Sequence, residues 1–194
     1  DKNVIATAVR QITGWGLLLA FALLVASLGR TPLAIRACAA EAAAAAAASE
    51  WKQWRGPRGD GHAVASGVPT KWDANSVKWR ASLPGKGQST PIQAGDRLFL
   101  TAALEDGRQR EVLGISAIDG RILWQKTAWK GEPEKSHAMN GWASATCATN
   151  GEVVVAFFGK GGLHAYTVDG EPLWSLDLGP FESPWSTAAC PMIV

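Results

Sequence analysis

One pattern, Asp-Gly followed by three residues and then Trp, constrains this chain more than any other feature. It occurs twice: Asp119, Gly120 and Trp124 form the first copy, and Asp169, Gly170 and Trp174 form the second. Each copy follows an apolar run, 115–118 in the first and 163–168 in the second. Asp-Gly between two such runs predicts a type I′ hairpin, in which both central residues have positive φ. The Trp falls at the same step of each following strand, which predicts a residue that packs between neighbouring sheets.

The repetition extends beyond the turn, because residues 90–100 align with residues 146–156. Four strands are predicted in each unit: 89–93, 97–103, 111–118 and 121–127 in the first, and 144–149, 152–158, 162–168 and 172–177 in the second. Four strands in a period of roughly 45–55 residues are typical of a β-propeller blade. The predicted fold class is therefore all-β, a partial propeller with four-stranded antiparallel blades at 89–127 and 144–177 and a third beginning at Ser186. A β-sandwich with chance repetition is the alternative.

Trp79 repeats the same landmark without inner strands before it. Residues 76–81 are therefore predicted to form an outer strand that stands alone, as an N-terminal strand does when it closes a propeller ring. Residues 76–194 supply two blades and pieces of others, so we expect the chain to be a fragment of a longer propeller.

The first fifty residues have a different character. Lys2 and Arg10 precede a 17-residue apolar run at 12–28, a length between a signal-peptide core and a full membrane span. A hydrophobic helix is predicted here. Residues 1–38 are interpreted as either a cleaved signal peptide or a retained membrane anchor, and 39–50 as an Ala-rich linker. Both interpretations predict an exported protein, periplasmic or held at the membrane.

Charge and cysteine usage narrow the function classes. The 19 basic and 17 acidic residues give a net charge of +2 with no basic stripe, so nucleic-acid binding is not expected. The three cysteines have no zinc or haem spacing, and no metal site is predicted. Cys147 and Cys190 fall at similar places in successive units; a disulfide and two buried free thiols are both open, and we favour the thiols.

Several segments between residues 51 and 194 carry a resemblance to a known family. Residues 51–61 read Trp-Lys-Gln-Trp-Arg-Gly-Pro-Arg-Gly-Asp-Gly, and residues 79–92 continue the match. The chain resembles the PQQ-like β-propeller repeat proteins of planctomycete-type bacteria. That resemblance implies one of two classes: quinoprotein dehydrogenases that use PQQ and calcium, or non-catalytic propellers of the BamB type that bind proteins.

The chain departs from the quinoprotein pattern. The dehydrogenase repeat carries Thr-Gly where this chain has Asp-Gly, and neither an adjacent cysteine pair nor a cluster of carboxylates with the six or more oxygens of a calcium site is seen. We therefore predict a non-catalytic binding or scaffold module for proteins or surface ligands, without a cofactor. A PQQ- and calcium-dependent alcohol or sugar dehydrogenase with its site in missing blades is one alternative. An extracytoplasmic sensor domain of a membrane protein is another.

Four side chains are predicted to contact a ligand: Lys86, His137, Asn140 and Trp142. Lys86 lies in a Gly-rich turn before the first blade, and the other three lie in or after the polar connection 130–140, just before an inner strand. Inner-strand entrances line the channel of a propeller. No Ser/His/Asp or Cys/His spacing suggests a nucleophile, so no catalytic residue is predicted.

Overall fold

A computed structural model describes residues 50–63, 68–137, 139–180 and 185–194. The predicted hydrophobic helix within 1–38 and the linker up to residue 49 lie outside these ranges. Within them, no helix is long and apolar enough to cross a bilayer. The helical elements described are 3-10 turns at Ala74–Ser76, Glu105–Gly107 and Gly159–Gly161.

Eight strands form two antiparallel four-stranded sheets, each in chain order. The first sheet contains β1 (Ile92–Ala94), β2 (Arg97–Leu104), β3 (Gln109–Ser116) and β4 (Ile122–Lys130). The second contains β5 (Ala148–Thr149), β6 (Val153–Phe157), β7 (Leu163–Thr167) and β8 (Pro172–Leu176). This repeated meander confirms the predicted partial propeller, and Pro172 opens the outer edge strand β8, where a missing amide donor is tolerated.

Both inner strands are shorter than predicted, because β1 was expected over 89–93 and β5 over 144–149. Pro91 has no amide hydrogen to donate to a ladder. Next to it, the Ser89 hydroxyl takes the place of the backbone: Ser89 Oγ accepts from Thr101 N at 3.1 Å and lies 3.3 Å from Thr101 O. Side chain–backbone bonds of this kind compete with the sheet ladder, so regular pairing in β1 begins only at Ile92.

The two Asp-Gly hairpins are not the predicted type I′ turns. Gly120 and Gly170 have φ of 76° and 88°, whereas neither Asp119 nor Asp169 has positive φ. Ser116 N bonds Arg121 O at 2.9 Å and Thr167 N bonds Glu171 O at 2.8 Å, so the two loops enclose four and three residues instead of two. Longer hairpin loops are commonly built on a type I turn and end on a left-handed residue, and here that residue is the glycine.

An apolar core lies between the two sheets. Phe99 and Val112 of the first sheet and Val154 and Tyr166 of the second are buried members of one cluster. Trp124 packs against this cluster, with its ring centroid 5.9 Å from that of Phe99 and 6.0 Å from that of Tyr166. The indole therefore fills the space between successive sheets, as the repeat predicted.

Trp79 and Trp124 make the same contact on successive sheets. Trp79 Nε1 donates to Ala117 O at 3.0 Å, and Trp124 Nε1 donates to Val168 O at 2.9 Å. Each indole thus binds the Asp-Gly loop of the sheet that follows it. The prediction of a strand at 76–81 is wrong, because these residues pair with no strand in the structure; the Trp79 side chain instead donates to Ala117 O and packs its ring on Gly120.

A second repeated contact links the inner strands. Thr90 N donates to Thr146 Oγ1 at 3.0 Å, and Thr146 N lies 3.2 Å from Cys190 Sγ. Cys190 therefore accepts from the segment that leads into the second sheet, just as Thr146 accepts from the segment that leads into the first. Residues 185–194 form no strand, so the third blade from Ser186 stays a prediction.

The two cysteines in the described ranges are free thiols, as favoured from the sequence. Cys147 is buried, but Cys190 is only partly so, which corrects the expectation that both are buried. Cys190 is partly exposed because it lies on a face of the second sheet that neither of the two described sheets covers.

The opening segment crosses the inner edges of both sheets. Trp51 O accepts from Gln93 N at 2.8 Å, and Lys52 O accepts from Thr149 N at 2.9 Å. Consecutive carbonyls of one segment thus satisfy edge amides of two different sheets. The opening segment therefore ties the two sheets together at their inner edges.

Candidate functional site

The sheet topology brings three connecting segments to one end of the molecule. Because consecutive strands are antiparallel, the β2–β3 hairpin and the β4–β5 connection emerge at the same end, opposite the Asp-Gly loops. The segment that leads into β1 begins at this end as well. Residues far apart in sequence can therefore meet here.

The β2–β3 hairpin has an unusual backbone. Glu105 and Asp106 both have φ of 51°, a left-handed value that is uncommon outside glycine. Gly107 follows with φ of 88°, and a Cβ built on it would stand 2.3 Å from the Trp142 ring. The ring thus lies directly against the glycine backbone, and no larger residue fits at this position.

The lead-in segment joins the hairpin to the β4–β5 connection. Lys86 pairs with Ala103 through two backbone bonds, at 2.9 and 2.8 Å. Gln88 Oε1 accepts from Gly141 N and from Ser144 Oγ, both at 3.1 Å. These bonds hold residues 85–88 between the β2–β3 hairpin and the β4–β5 connection.

The three segments enclose a cleft of about 750 Å³, a volume within the usual range for a binding site. It is lined by Gly85, Lys86, Gln88, Ala103, Leu104, Glu105, Asp106, Gly107, Ser136, His137, Gly141 and Trp142. The indole and Leu104 supply apolar surface, while amide, ammonium, imidazole and carboxylate groups supply hydrogen-bonding partners. We call this feature the cleft.

Three of the four predicted ligand contacts line the cleft, namely Lys86, His137 and Trp142. Asn140 does not; its Nδ2 donates to Trp185 O at 3.3 Å, and its backbone N donates to His137 O at 2.9 Å. That any of the four contacts a ligand stays a prediction. The structure shows only that three of them converge.

Sequence reasoning missed Gln88, Glu105 and Asp106. The last two carried a signal, because Asp106 and Gly107 form a third Asp-Gly pair, and this dipeptide favours a turn. Gln88 carried none, since its role depends on contacts with residues more than fifty positions away.

Charge at the rim is balanced and exposed. Lys86 Nζ lies 3.9 Å from Asp106 Oδ1, with 88% and 83% of these side chains exposed. An ion pair this open to water contributes little to stability. Both groups therefore remain accessible to a ligand.

A buried ion pair lies beneath the cleft wall. Arg110 is fully buried, and its guanidinium forms a two-pronged contact with the Glu134 carboxylate, whose side chain is 10% exposed. Arg110 also donates to Phe158 O and lies 4.4 Å from the Trp129 ring centroid. On the other side, Glu134 O accepts from Trp142 Nε1 at 2.7 Å.

The donor set at the cleft does not fit calcium. That ion takes six to eight oxygen ligands, whereas Glu105 and Asp106 sit side by side on one exposed hairpin tip and Asp106 faces Lys86. Within the described ranges, no group of three or more His, Cys, Asp or Glu side chains is placed to hold a metal ion.

Comparison with known families decides what kind of repeat this is. The family model described as "Outer membrane protein assembly factor BamB" matches residues 45–183, well over half of the chain. The chain belongs to this BamB family. The predicted PQQ-like β-propeller repeat is thereby confirmed, while a planctomycete-type origin stays a prediction.

Two solved structures are similar to this BamB-family chain. BamB from Moraxella catarrhalis is 18% identical with a TM-score of 0.46, over 60% of this chain and 34% of that one. The quinohemoprotein alcohol dehydrogenase ADHIIG from Pseudomonas putida HK5 is 16% identical with a TM-score of 0.49, over 75% of this chain and 22% of that one. The present chain thus spans about a third and about a fifth of their lengths. No curated protein matches the chain.

Proposed function

We propose that this chain is part of an exported, non-catalytic β-propeller, periplasmic or held at the membrane, that binds protein segments or surface ligands in the cleft. The observation that carries the proposal is the convergence of Lys86, His137 and Trp142 on one cavity from separate segments. A cation, an imidazole and an indole together offer hydrogen bonds and apolar contact, the combination found in binding sites.

Family membership supports a protein as the ligand. The family is named for a factor that assembles outer membrane proteins. A client in assembly exposes extended segments with alternating apolar and polar residues. The cleft offers such a segment both kinds of surface, since the Trp142 ring lies beside exposed polar groups from two other segments.

A binding titration tests this function. Fluorescent peptides that copy strands of an outer membrane β-barrel are titrated with the full chain, and anisotropy gives the dissociation constant. The double variant Lys86→Ala/His137→Ala should weaken binding by at least about tenfold, roughly 1.4 kcal/mol. Neither substitution removes buried surface, because both residues are exposed, so folding should be unaffected.

The matched control is Lys71→Ala/His62→Ala, which removes the same two side-chain types from exposed positions outside the cleft. It should leave the dissociation constant unchanged. Equal affinity of the cleft variant and the wild type would overturn the site. Dye reduction with alcohols or sugars, after addition of PQQ and calcium, would overturn the non-catalytic assignment.

A further inference from the structure

The ion pair between Arg110 and Glu134 joins the first sheet to one wall of the cleft. Arg110 lies on β3 inside the first sheet, whereas Glu134 lies in the β4–β5 connection, which forms one wall of the cleft. Burying both charges is costly unless geometry and further hydrogen bonds compensate. Such a pair therefore calls for a reason other than stability.

The remaining contacts of the guanidinium fix its position. Nε donates to Gly107 O in the β2–β3 hairpin at 3.4 Å, and Nη1 donates to Phe158 O beside the second sheet. The Trp129 ring of β4 covers the group at 4.4 Å. Four segments thus hold one planar fork, which leaves Arg110 no freedom to follow a moving partner.

Glu134 connects the fixed guanidinium to the cleft. Its carboxylate is bound by Arg110, and its backbone oxygen accepts from Trp142 Nε1 at 2.7 Å. The Trp142 ring in turn packs on Gly107, whose carbonyl Arg110 also binds. These contacts link four residues in a closed circuit: Arg110, Glu134, Trp142 and Gly107. Glu134 and Trp142 belong to the connection that forms the cleft wall.

We propose that Arg110 is the positioning residue of the cleft. Through Glu134 it holds the wall that carries His137 and Trp142 at the distance from the hairpin that a ligand requires. The consequence for binding rests on the proposed function, whereas the position of the wall can be measured without any ligand.

A neighbouring ion pair provides a matched control. Arg108 Nη2 lies 3.1 Å from Glu132 Oε2, and this pair joins the same strand region to the same connection with the same sequence spacing. It differs in being exposed, with 53% and 80% of its side chains open to water, and in making a single contact instead of a two-pronged one. Comparing Arg110→Lys with Arg108→Lys therefore isolates the effect of the buried fork.

Indole hydrogen exchange, followed by NMR in the full chain, measures the wall directly. Trp79, Trp124 and Trp142 each donate an indole hydrogen bond to a backbone oxygen, but only Trp142 donates to the wall. Lysine keeps the charge yet cannot reach Glu134, Gly107 and Phe158 together. Arg110→Lys should speed exchange at Trp142 at least about tenfold and leave Trp79 and Trp124 unchanged, and Arg108→Lys should change none of the three.

Two exchange results would overturn the proposal. If all three indoles exchange faster by the same factor, Arg110 is only a stabilising residue; if Trp142 remains protected, the wall does not depend on Arg110. Should Arg110→Lys not fold, Arg110→Met/Glu134→Met provides the same measurement, because apolar replacement of a buried ion pair is often neutral for stability.

The peptide titration separates this inference from the proposed function. Arg110→Lys should weaken peptide binding about as much as the double variant at Lys86 and His137, while Arg108→Lys should not. Unchanged affinity with a loosened wall would overturn the role in binding. If the wild type binds no peptide, the proposed function fails, and the exchange rate at Trp142 still decides the positioning.

Discussion

Trp124 and Gly170 form the joint between the two sheets. A Cβ built on Gly170 would stand 2.7 Å from the indole, and the indole nitrogen donates to Val168 O two residues before the glycine. Trp79 repeats this arrangement on Gly120, where the corresponding distance is 2.5 Å. The same pairing of a tryptophan with a loop glycine thus recurs at the two positions, and it sets how one sheet meets the preceding segment.

Trp124→Phe should lower the free energy of unfolding by about 1–3 kcal/mol, because it leaves the Val168 carbonyl without its donor. Trp174→Phe is the matched control: Trp174 occupies the same step of β8 but is 50% exposed, so its loss should stay within about 0.5 kcal/mol. Denaturant titration of each variant measures the difference. Equal losses of unfolding free energy in the two variants would contradict the role of Trp124 as the joint between the sheets.

Gly170→Ala should cost about 2–5 kcal/mol, the sum of a strained left-handed backbone and a clash with the indole. Gly95→Ala shares the backbone strain, with φ of 55°, but has nothing within 4 Å of the added Cβ. It should cost only about 1–2 kcal/mol. Unfolding midpoints of both variants test this, and a Gly95 cost as large as that of Gly170 would rule out the contact.

The two described cysteines should differ in reactivity. Burial raises the pKa of the Cys147 thiol to about 12, with a smaller contribution from nearby Cys190. A thiol that stays protonated and buried does not react as a nucleophile. In a Cys38→Ser background, a disulfide reagent at pH 8 should label Cys190 in the folded chain and Cys147 only after unfolding. Labelling of both thiols at one rate under native conditions would contradict this.

Alkaline pH should destabilise the joint through Tyr166. Burial raises the pKa of its phenol to about 12 from 10.0, and the neighbouring Glu111 adds to the shift. Because the folded-state pKa is the higher one, its contribution to stability is complete below pH 10 and is lost as pH rises towards 12. The loss of unfolding free energy in this window should be smaller in Tyr166→Phe.

The chain contains a single tyrosine, so phenolate absorbance reports Tyr166 alone. Its midpoint should lie near pH 12 in the folded chain and near 10 in denaturant. A midpoint near 10 in both states would mean that the phenol is open to water.

Most of the architecture followed from local patterns. The Asp-Gly pairs with apolar runs on both sides placed the β3–β4 and β7–β8 loops, and the repeated Trp placed Trp124 between the sheets. These predictions succeeded because turn chemistry and strand alternation act over a few residues. The turn type was wrong, since φ at Asp119 and Asp169 depends on loop length, which Asp-Gly alone does not set.

Arg110 and Glu111 show where local reasoning stops. Strand β3 was predicted to begin at residue 111, yet it begins at Gln109, and both charged side chains are at most 1% exposed. A charged pair at a strand end suggests a solvent-facing terminus, because such residues are rarely buried without partners. Their partners here are Glu134 and Thr127, which only the fold brings within hydrogen-bonding distance.

The amino-acid sequence by itself therefore determined the repeat: where the chain turns, which strands pair and which indoles separate the sheets. Only the tertiary structure decided that Lys86, His137 and Trp142 share a cleft and that Arg110 pairs with Glu134 beneath its wall. The physical reason is the sequence separation over which each interaction acts. Turns and strand alternation depend on neighbours in sequence, whereas burying a charge or enclosing a cavity depends on groups that come together only when the sheets have packed.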